Sequence, residues 1–375
     1  MDNFIVSARK YRPANFRSVV GQDAITTTLK NALKNHQVAQ AFLFCGPRGV
    51  GKTTCARILA KALNCQHLTE EGEPCNECDS CRSFNESALF NVFELDAASK
   101  NSVDDMRLLV EQVRIPPQDG PYKVYIIDEV HMLSQSAFNA FLKTLEEPPA
   151  YAKFILATTE KHKILPTILS RCQVYDFKRI TEQDMVKHLQ YVAEQEQITA
   201  EEDALRMVAA KADGALRDAL SIFDQLVTSV GKELTYQKAA AHLNVLDQEN
   251  YFRITDFVFS DNVSDALLLL DDILAKGFDG QKFISGLSTH FRNLLMSMNP
   301  ATLPLLEMSD AAKMQMRQQA QKCDRTLLIR ALELTNQCDL NYKDANNKRL
   351  TIELCLMQIN ANYVYKKVRQ SRERK

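Results

Sequence analysis

Gly46-Pro47-Arg48-Gly49-Val50-Gly51-Lys52-Thr53 follows an apolar run, Ala41-Phe42-Leu43-Phe44, and precedes Ala56-Arg57-Ile58-Leu59-Ala60-Lys61-Ala62-Leu63, a stretch of helical composition. The spacing is G-x-x-x-x-G-K-[ST], in the strand, loop and helix order that gives the motif its meaning. Glycines let successive backbone N–H groups wrap around phosphate oxygens. Lys52 is placed to neutralise the β/γ charge, and the Thr53 hydroxyl to ligate Mg²⁺ at a helix N-terminus that favours anions. Residues Gly46 to Thr54 are therefore expected to bind the phosphates of a nucleotide.

Outward from this loop, apolar strand-like runs alternate with amphipathic helical stretches up to about residue 178, the pattern of a parallel sheet covered by helices. Candidate strands are Ala41–Phe44, Val92–Leu95, Val124–Ile127 and Phe154–Ala157. From about 180 helical periods take over, as in Met185, Leu189, Val192 and Ala193, then Leu205, Val208 and Ala209. The expected organisation is an α/β nucleotide-binding domain over 1–178, a small helical lid over 179–243 and an all-α domain over 244–365. The stretch 366–375 is basic and nearly devoid of apolar residues, which predicts a tail or the start of a linker.

At 375 residues, 45% hydrophobic and 25% charged, the chain has the composition of a soluble multidomain globular protein. A net charge of −1 supplies no global steering towards nucleic acid, so any contact with DNA must come from local basic patches. The N-terminal residues run into Arg9-Lys10-Tyr11-Arg12 without an apolar signal segment, and no stretch of 18 uncharged apolar residues follows. The expectation is a cytoplasmic protein without membrane contact, whose ten cysteines are reduced thiols or metal ligands.

Val124-Tyr125-Ile126-Ile127-Asp128-Glu129-Val130-His131 ends an apolar strand on two carboxylates, where parallel α/β sheets put their ligands. Asp128 would hold Mg²⁺ through its water shell, and Glu129 would orient and deprotonate an attacking water. The same D-E-x-H lettering occurs in helicases, a competing class. Such an enzyme should carry a second motor domain with its own sheet, whereas the residues beyond 180 read as helical. Cys65, Cys75, Cys78 and Cys81 give C-x9-C-x2-C-x2-C in an insertion at about 64–82, which suits tetrahedral zinc. An iron–sulfur cluster and unliganded thiols are the alternatives; no C-x3-C-P continuation follows Cys81. Four protein ligands leave no open coordination position, so the metal would staple a loop. Thr158 and Thr159 at a strand end, Arg171 in Ser170-Arg171-Cys172 and Arg217 in Gly214-Ala215-Leu216-Arg217 are weak signals alone.

Together these blocks resemble the bacterial gamma/tau family of AAA+ clamp-loader ATPases along essentially the whole chain. The resemblance extends through Ala8-Arg9-Lys10-Tyr11-Arg12-Pro13, Phe16-Arg17-Ser18-Val19-Val20-Gly21-Gln22, Glu94-Leu95-Asp96-Ala97-Ala98-Ser99 and Leu142-Lys143-Thr144-Leu145-Glu146-Glu147-Pro148-Pro149. It implies that Thr158 is the sensor 1 residue, that Arg217 in the lid reads the γ-phosphate of its own subunit, and that Arg171 is an arginine finger acting in trans on a neighbour's ATP. Tyr11, Arg12, Pro13, Val19 and Val20 would line the adenine pocket. It further implies a collar role for the third domain and ATP, Mg²⁺ and zinc as ligands. The implied partners are the delta and delta-prime subunits, further gamma/tau copies, the sliding clamp and primer–template DNA, with polymerase core and replicative helicase added in a longer product. On this reading the chain works within a DNA-directed DNA polymerase assembly without polymerising DNA itself. A passive scaffold that has lost ATPase activity is the non-enzymatic alternative, and intact Lys52, Thr53, Asp128 and Glu129 argue against it.

Overall fold

The computed structural model describes residues 5–86, 91–118, 120–243, 248–306, 308 and 310–373, with side chains described up to 368 except at 310 and 311. The chain forms two compact units, Met1–Leu234 and Thr235–Lys375.

In the first unit, strands β1 (Ala41–Cys45), β2 (Val92–Asp96), β3 (Lys123–Asp128), β4 (Ala152–Thr158) and β5 (Gln173–Asp176) form a parallel sheet in the order β2-β3-β4-β1-β5. The central strands β1 and β4 are buried along their whole length, as continuous apolar runs covered on both faces should be. Alternate side chains of each strand enter opposite layers. Phe42, Phe44, Ile126 and Ile155 pack with Leu29, Ile58 and Leu59 on one side. Leu43, Tyr125, Ile127, Phe154 and Leu156 pack with Met106, Leu109, Phe138 and Phe141 on the other. The four expected strands are present. The fifth, β5, escapes sequence reading because it is an edge strand in which only Tyr175 is buried, so it has no apolar run.

The helices of this unit are α1 (Ser7–Lys10), α2 (Asp23–Lys34), α3 (Lys52–Leu63), α4 (Asp79–Asn85), α5 (Val103–Val113), α6 (Gln135–Glu146), α7 (Pro166–Leu169), α8 (Glu182–Gln195), α9 (Glu202–Ala212) and α10 (Leu216–Val230). The last three form a helical lid, joined by a two-stranded parallel ribbon of β6 (Thr199–Ala200) and β7 (Glu233–Leu234). Met185, Leu189 and Val192 of α8, Leu205 and Val208 of α9, and Phe223 and Leu226 of α10 are among its buried residues, at the helical spacing expected of one apolar face.

The second unit is all-helical among the described residues: α11 (Tyr236–Leu243), α12 (Gln248–Val258), α13 (Val263–Ala275), α14 (Gly280–Ser297), α15 (Asp310–Ala320), α16 (Arg325–Tyr342) and α17 (Lys348–Glu373). It contains no second sheet there, which removes the main structural requirement of the helicase alternative. Its core joins Leu269, Leu270, Phe283, Leu287, Phe291, Leu328, Ile352 and Leu356. Helix α11, grouped with the lid by periodicity, falls in this unit. The basic stretch from Lys366, expected as a tail or linker, instead continues α17 as far as Glu373. Long unbranched Lys, Arg and Gln side chains favour helix. Lys366 also pairs with Asp324 at 2.5 Å and Lys367 with Asp261, tying the helix to its neighbours. No helix among the described residues is long and apolar enough to cross a membrane.

Candidate nucleotide site and cysteine cluster

The phosphate loop leaves the carboxyl edge of the sheet, where Cys45 of β1 lies in register with Thr158 of β4 and Asp176 of β5. Gly46 N–H donates to the Thr158 carbonyl at 3.2 Å, and Phe177 N–H to the Cys45 carbonyl at 2.7 Å. The glycines are required here. Gly46 has φ +146° and a Cβ on it would lie 2.4 Å from the Phe177 carbonyl oxygen, while Gly49, at φ +79°, would put one 3.0 Å from Ala215 Cβ. The loop thus threads between strand end and lid.

Lys52 opens helix α3 and is 6% exposed. Its Nζ donates to the carbonyls of Gly46 and Pro47, both at 2.7 Å, inside its own loop. Burial lowers the affinity of this amine for its proton, opposed by the nearby Glu129 and Asp128 carboxylates. Thr53 Oγ1 donates to Asp128 Oδ2 at 2.6 Å. A hydroxyl that offers a lone pair to Mg²⁺ keeps its proton for such a bond, so the pair suits a hard cation held by Thr53, with Asp128 acting through water.

Glu129 sits at φ +48° in the left-handed region, a strained state for a non-glycine residue of the kind that collects at functional sites. Its Oε2 accepts from the Thr159 hydroxyl at 2.9 Å and the Thr159 N–H at 3.3 Å, with His131 Nδ1 3.4 Å away. Thr158 behaves differently. It is fully buried, its hydroxyl lies 3.0 Å from His131 Nδ1 and accepts from Glu160 N–H at 3.0 Å, and it does not line the cleft. Consecutive residues at a strand end point to opposite faces, so one threonine of the pair meets Glu129 and the other meets His131. The hydroxyl that reaches Glu129 is that of Thr159, whereas the residue to which the resemblance gives the sensor 1 role, Thr158, meets His131.

A cavity of about 420 Å³ runs from this loop to the N-terminal segment and the lid. It is lined by Tyr11, Arg12, Pro13, Val19 and Val20, by Arg48 to Thr54, by Asp128 and Glu129, and by Arg217. Gly46 and Pro47 do not line it; their carbonyls hold Lys52, which does. The lining also includes residues not anticipated from sequence: Val6, Ala8, Arg9, Ile180, Leu216 and Leu220. Long-range bonds fasten the N-terminal segment to the lid. Ser7 donates to Asp224 from its N–H at 2.7 Å and its hydroxyl at 2.5 Å, and Glu196 accepts from Tyr11 Oη at 2.5 Å and Lys10 Nζ at 2.6 Å. Nothing in the local sequence signals these pairs. Burial and the adjacent Arg57 lower the proton affinity of the Arg12 guanidinium, with Arg217 and Arg9 adding to the effect and Glu94 opposing it. The cleft therefore holds an excess of cationic groups in a partly dry setting, which is what a polyphosphate would neutralise.

Arg171 does not line this cleft. It is solvent-exposed, donating from Nη2 to Glu146 Oε1 and from Nη1 to the Thr167 carbonyl, both at 2.8 Å.

The four cysteines of the insertion converge. Their Sγ atoms lie within 4.8 Å of one another, with Cys65 to Cys75 at 3.5 Å and Cys75 to Cys81 at 3.9 Å. A tetrahedral zinc with Zn–S bonds of about 2.3 Å has S···S edges of about 3.8 Å, so the donor set fits the ion in type and spacing. Burial opposes ionisation of Cys75, but the N–H groups of Glu77 and Cys78 outweigh it and hold the thiol down at about 6. The Lys61 ammonium of α3, 3% exposed and bonded to Asn76 Oδ1 at 2.5 Å, adds positive charge beside the thiols.

Three segments of the chain match family models: 21–181 that of "DNA polymerase III, delta subunit", 184–232 that of "DNA polymerase III clamp loader subunit, ATPase lid domain", and 234–369 that of "DNA polymerase III subunits gamma and tau domain III". The chain is 42% identical over 354 residues to DNA polymerase III subunit tau of Bacillus subtilis, covering 94% of this chain and 62% of that protein. It is 37% identical to the Escherichia coli tau subunit, covering 95% of this chain and 55% of that protein. It thus spans little more than half the length of these two relatives. Against DNA polymerase III subunit gamma of Buchnera aphidicola from Acyrthosiphon pisum it is 33% identical, over 95% of this chain and 99% of that subunit. With the cleft, the lid and the all-helical unit in the corresponding order, this chain belongs to the gamma/tau family of bacterial DNA polymerase III clamp-loader subunits.

Proposed function

We propose that this chain is an ATP-hydrolysing motor of a clamp loader, using ATP turnover to place a ring-shaped sliding clamp on primer–template DNA. The observation that carries the reading is the convergence on one cavity of Lys52, Thr53, Asp128, Glu129 and the lid residue Arg217. Lys52 would exchange its bonds to the Gly46 and Pro47 carbonyls for β/γ-phosphate oxygens. Thr53 and Asp128 would hold Mg²⁺, which when bound offsets the charge of the phosphates. Glu129 would orient and deprotonate the attacking water, and its bond to Thr159 supports assigning γ-phosphate sensing to that hydroxyl rather than to Thr158. Arg217, whose N–H donates to the Gly49 carbonyl at 3.4 Å, would report the γ-phosphate to the lid. Because Arg171 is exposed and outside its own cleft, it would serve the ATP of a neighbouring subunit, making turnover depend on assembly. Fingers of this kind are worth about 10³ to 10⁵ in rate. Zinc on the four cysteines would be structural, and the helical second unit would hold the subunits together as a collar. The partners on this reading are delta and delta-prime subunits, further copies of the chain, the clamp and DNA.

Steady-state ATP hydrolysis by this chain with delta, delta-prime, clamp and primed DNA tests the proposal, with Lys52→Ala and Arg171→Ala as variants. The expected result is turnover stimulated by clamp and primed DNA together, abolished by Lys52→Ala, and lost in Arg171→Ala although ATP still binds. Turnover indifferent to clamp and primer ends, or normal turnover in Arg171→Ala, would overturn the motor or the trans assignment respectively.

A further inference from the structure

The cysteine insertion carries a carboxylate that holds the turn between two lining segments of the cavity. Glu73 lies two residues before Cys75 and is only 7% exposed. Its Oε2 accepts from the Phe16 N–H at 2.7 Å and its Oε1 from the Arg17 N–H at 2.9 Å, with Lys30 Nζ 3.7 Å from Oε1. These N–H groups open the short 3₁₀ turn Phe16–Ser18, whose first donors have no partner within the turn itself. The turn connects two walls of the cavity, Tyr11 to Pro13 before it and Val19-Val20 after it. Phe16 is 1% exposed and packs in the same core as Val19, against which Leu68 of the insertion also packs. Glu73 is itself held. Its N–H donates to Thr69 Oγ1 and its carbonyl accepts from Thr69 N–H, both at 3.0 Å.

We propose that Glu73 is a positioning residue through which the cysteine insertion sets the base-binding wall of the nucleotide site. The inference rests on the nucleotide-binding reading above and adds a task for the insertion, which stands outside the chemistry. A buried carboxylate that satisfies two consecutive N–H groups fixes the height of the loop. Removing it leaves two donors without partners, and the segment from Phe16 to Val20 shifts until they find water. Contacts to the base side of the ligand depend on that wall, whereas contacts to the phosphates come from Gly46 to Thr54.

The test measures binding of ATP and, separately, of inorganic tripolyphosphate to the full chain, its Glu73→Ala variant and its Glu73→Gln variant, with zinc content and melting temperature recorded for each. We expect Glu73→Ala to weaken ATP binding about tenfold, a loss of about 1.4 kcal/mol, while tripolyphosphate affinity stays within about twofold and the zinc content matches that of the unmodified chain. Glu73→Gln, whose amide keeps one acceptor oxygen, should lose less. Stripping zinc from the unmodified chain with a chelator should weaken ATP binding in the same direction, and should add nothing in Glu73→Ala. Unchanged ATP affinity in Glu73→Ala, a parallel fall in tripolyphosphate affinity, or loss of zinc from that variant overturns the inference. If the unmodified chain binds no ATP, the parent reading fails and this one with it; tight binding by the unmodified chain, unaltered in Glu73→Ala, overturns this one alone.

Discussion

Both compact units bury polar groups, but the two sets are built differently. In the all-helical unit, Gln319 Nε2 donates to the Phe252 carbonyl at 2.8 Å and Asp256 Oδ1 at 2.7 Å. Its Oε1 is therefore left to accept from His290 Nε2 at 2.9 Å, which fixes the imidazole tautomer with the proton on Nε2. His290 is 3% exposed, stands edge-on to Phe252 at 4.7 Å, and burial pushes its pKa down to about 4. The network closes on itself. In the sheet unit the buried ammonium of Lys52 donates to carbonyls of its own loop, Glu129 is held in a strained backbone state, and the arginines lining the cleft outnumber its carboxylates. The first arrangement specifies one packing of helices. The second stores charge and strain at strand ends, where a ligand can release them.

The largest effect that would sharpen this contrast belongs to Glu129→Gln. It keeps the shape but removes the base, so turnover in the assembled complex should fall about 10²- to 10⁴-fold while ATP affinity is retained; a rate within threefold of the unmodified protein would remove Glu129 from that role. Next is Gly46→Ala, whose Cβ would meet the Phe177 carbonyl oxygen at 2.4 Å. Overpacking of this kind costs about 1–3 kcal/mol, and because the Gly46 carbonyl also holds Lys52, ATP binding should weaken about 100-fold, as read by equilibrium titration.

The closed network makes a different prediction. Below pH 6.5 the unfolded chain protonates His290 while the folded unit refuses the proton until about 4, so stability falls as pH drops through that window and levels off beneath it. The loss approaches about 3 kcal/mol. Urea unfolding of the full chain between pH 7 and 4 should show this slope, and His290→Gln should flatten it. An equal slope in the variant would assign the dependence elsewhere. The smallest expected effect separates adjacent residues. Thr159→Val should lower turnover about tenfold by releasing Glu129, and Thr158→Val, which leaves that bond alone, should lower it less. The reverse order would restore Thr158 as the sensing residue.

Motifs whose chemistry is contiguous along the chain are legible in the sequence alone. The phosphate loop with its flanking strand and helix, the two carboxylates ending β3, the cysteine spacing and the central strands all follow from local composition and period, because each is built by neighbours in sequence. An edge strand such as β5 has no apolar run to show. Which of two adjacent threonines faces Glu129 depends on the phase of the pleat at the end of β4, and that phase is set by register with β1 and β3. The pairs Ser7–Asp224, Tyr11–Glu196 and Phe16–Glu73 join residues 217, 185 and 57 positions apart, respectively. No short-range pattern encodes such pairs, because they form only when sheet, insertion and lid have packed. The residue types for the reaction are thus written locally, whereas the walls that aim them at a ligand come from packing distant segments together.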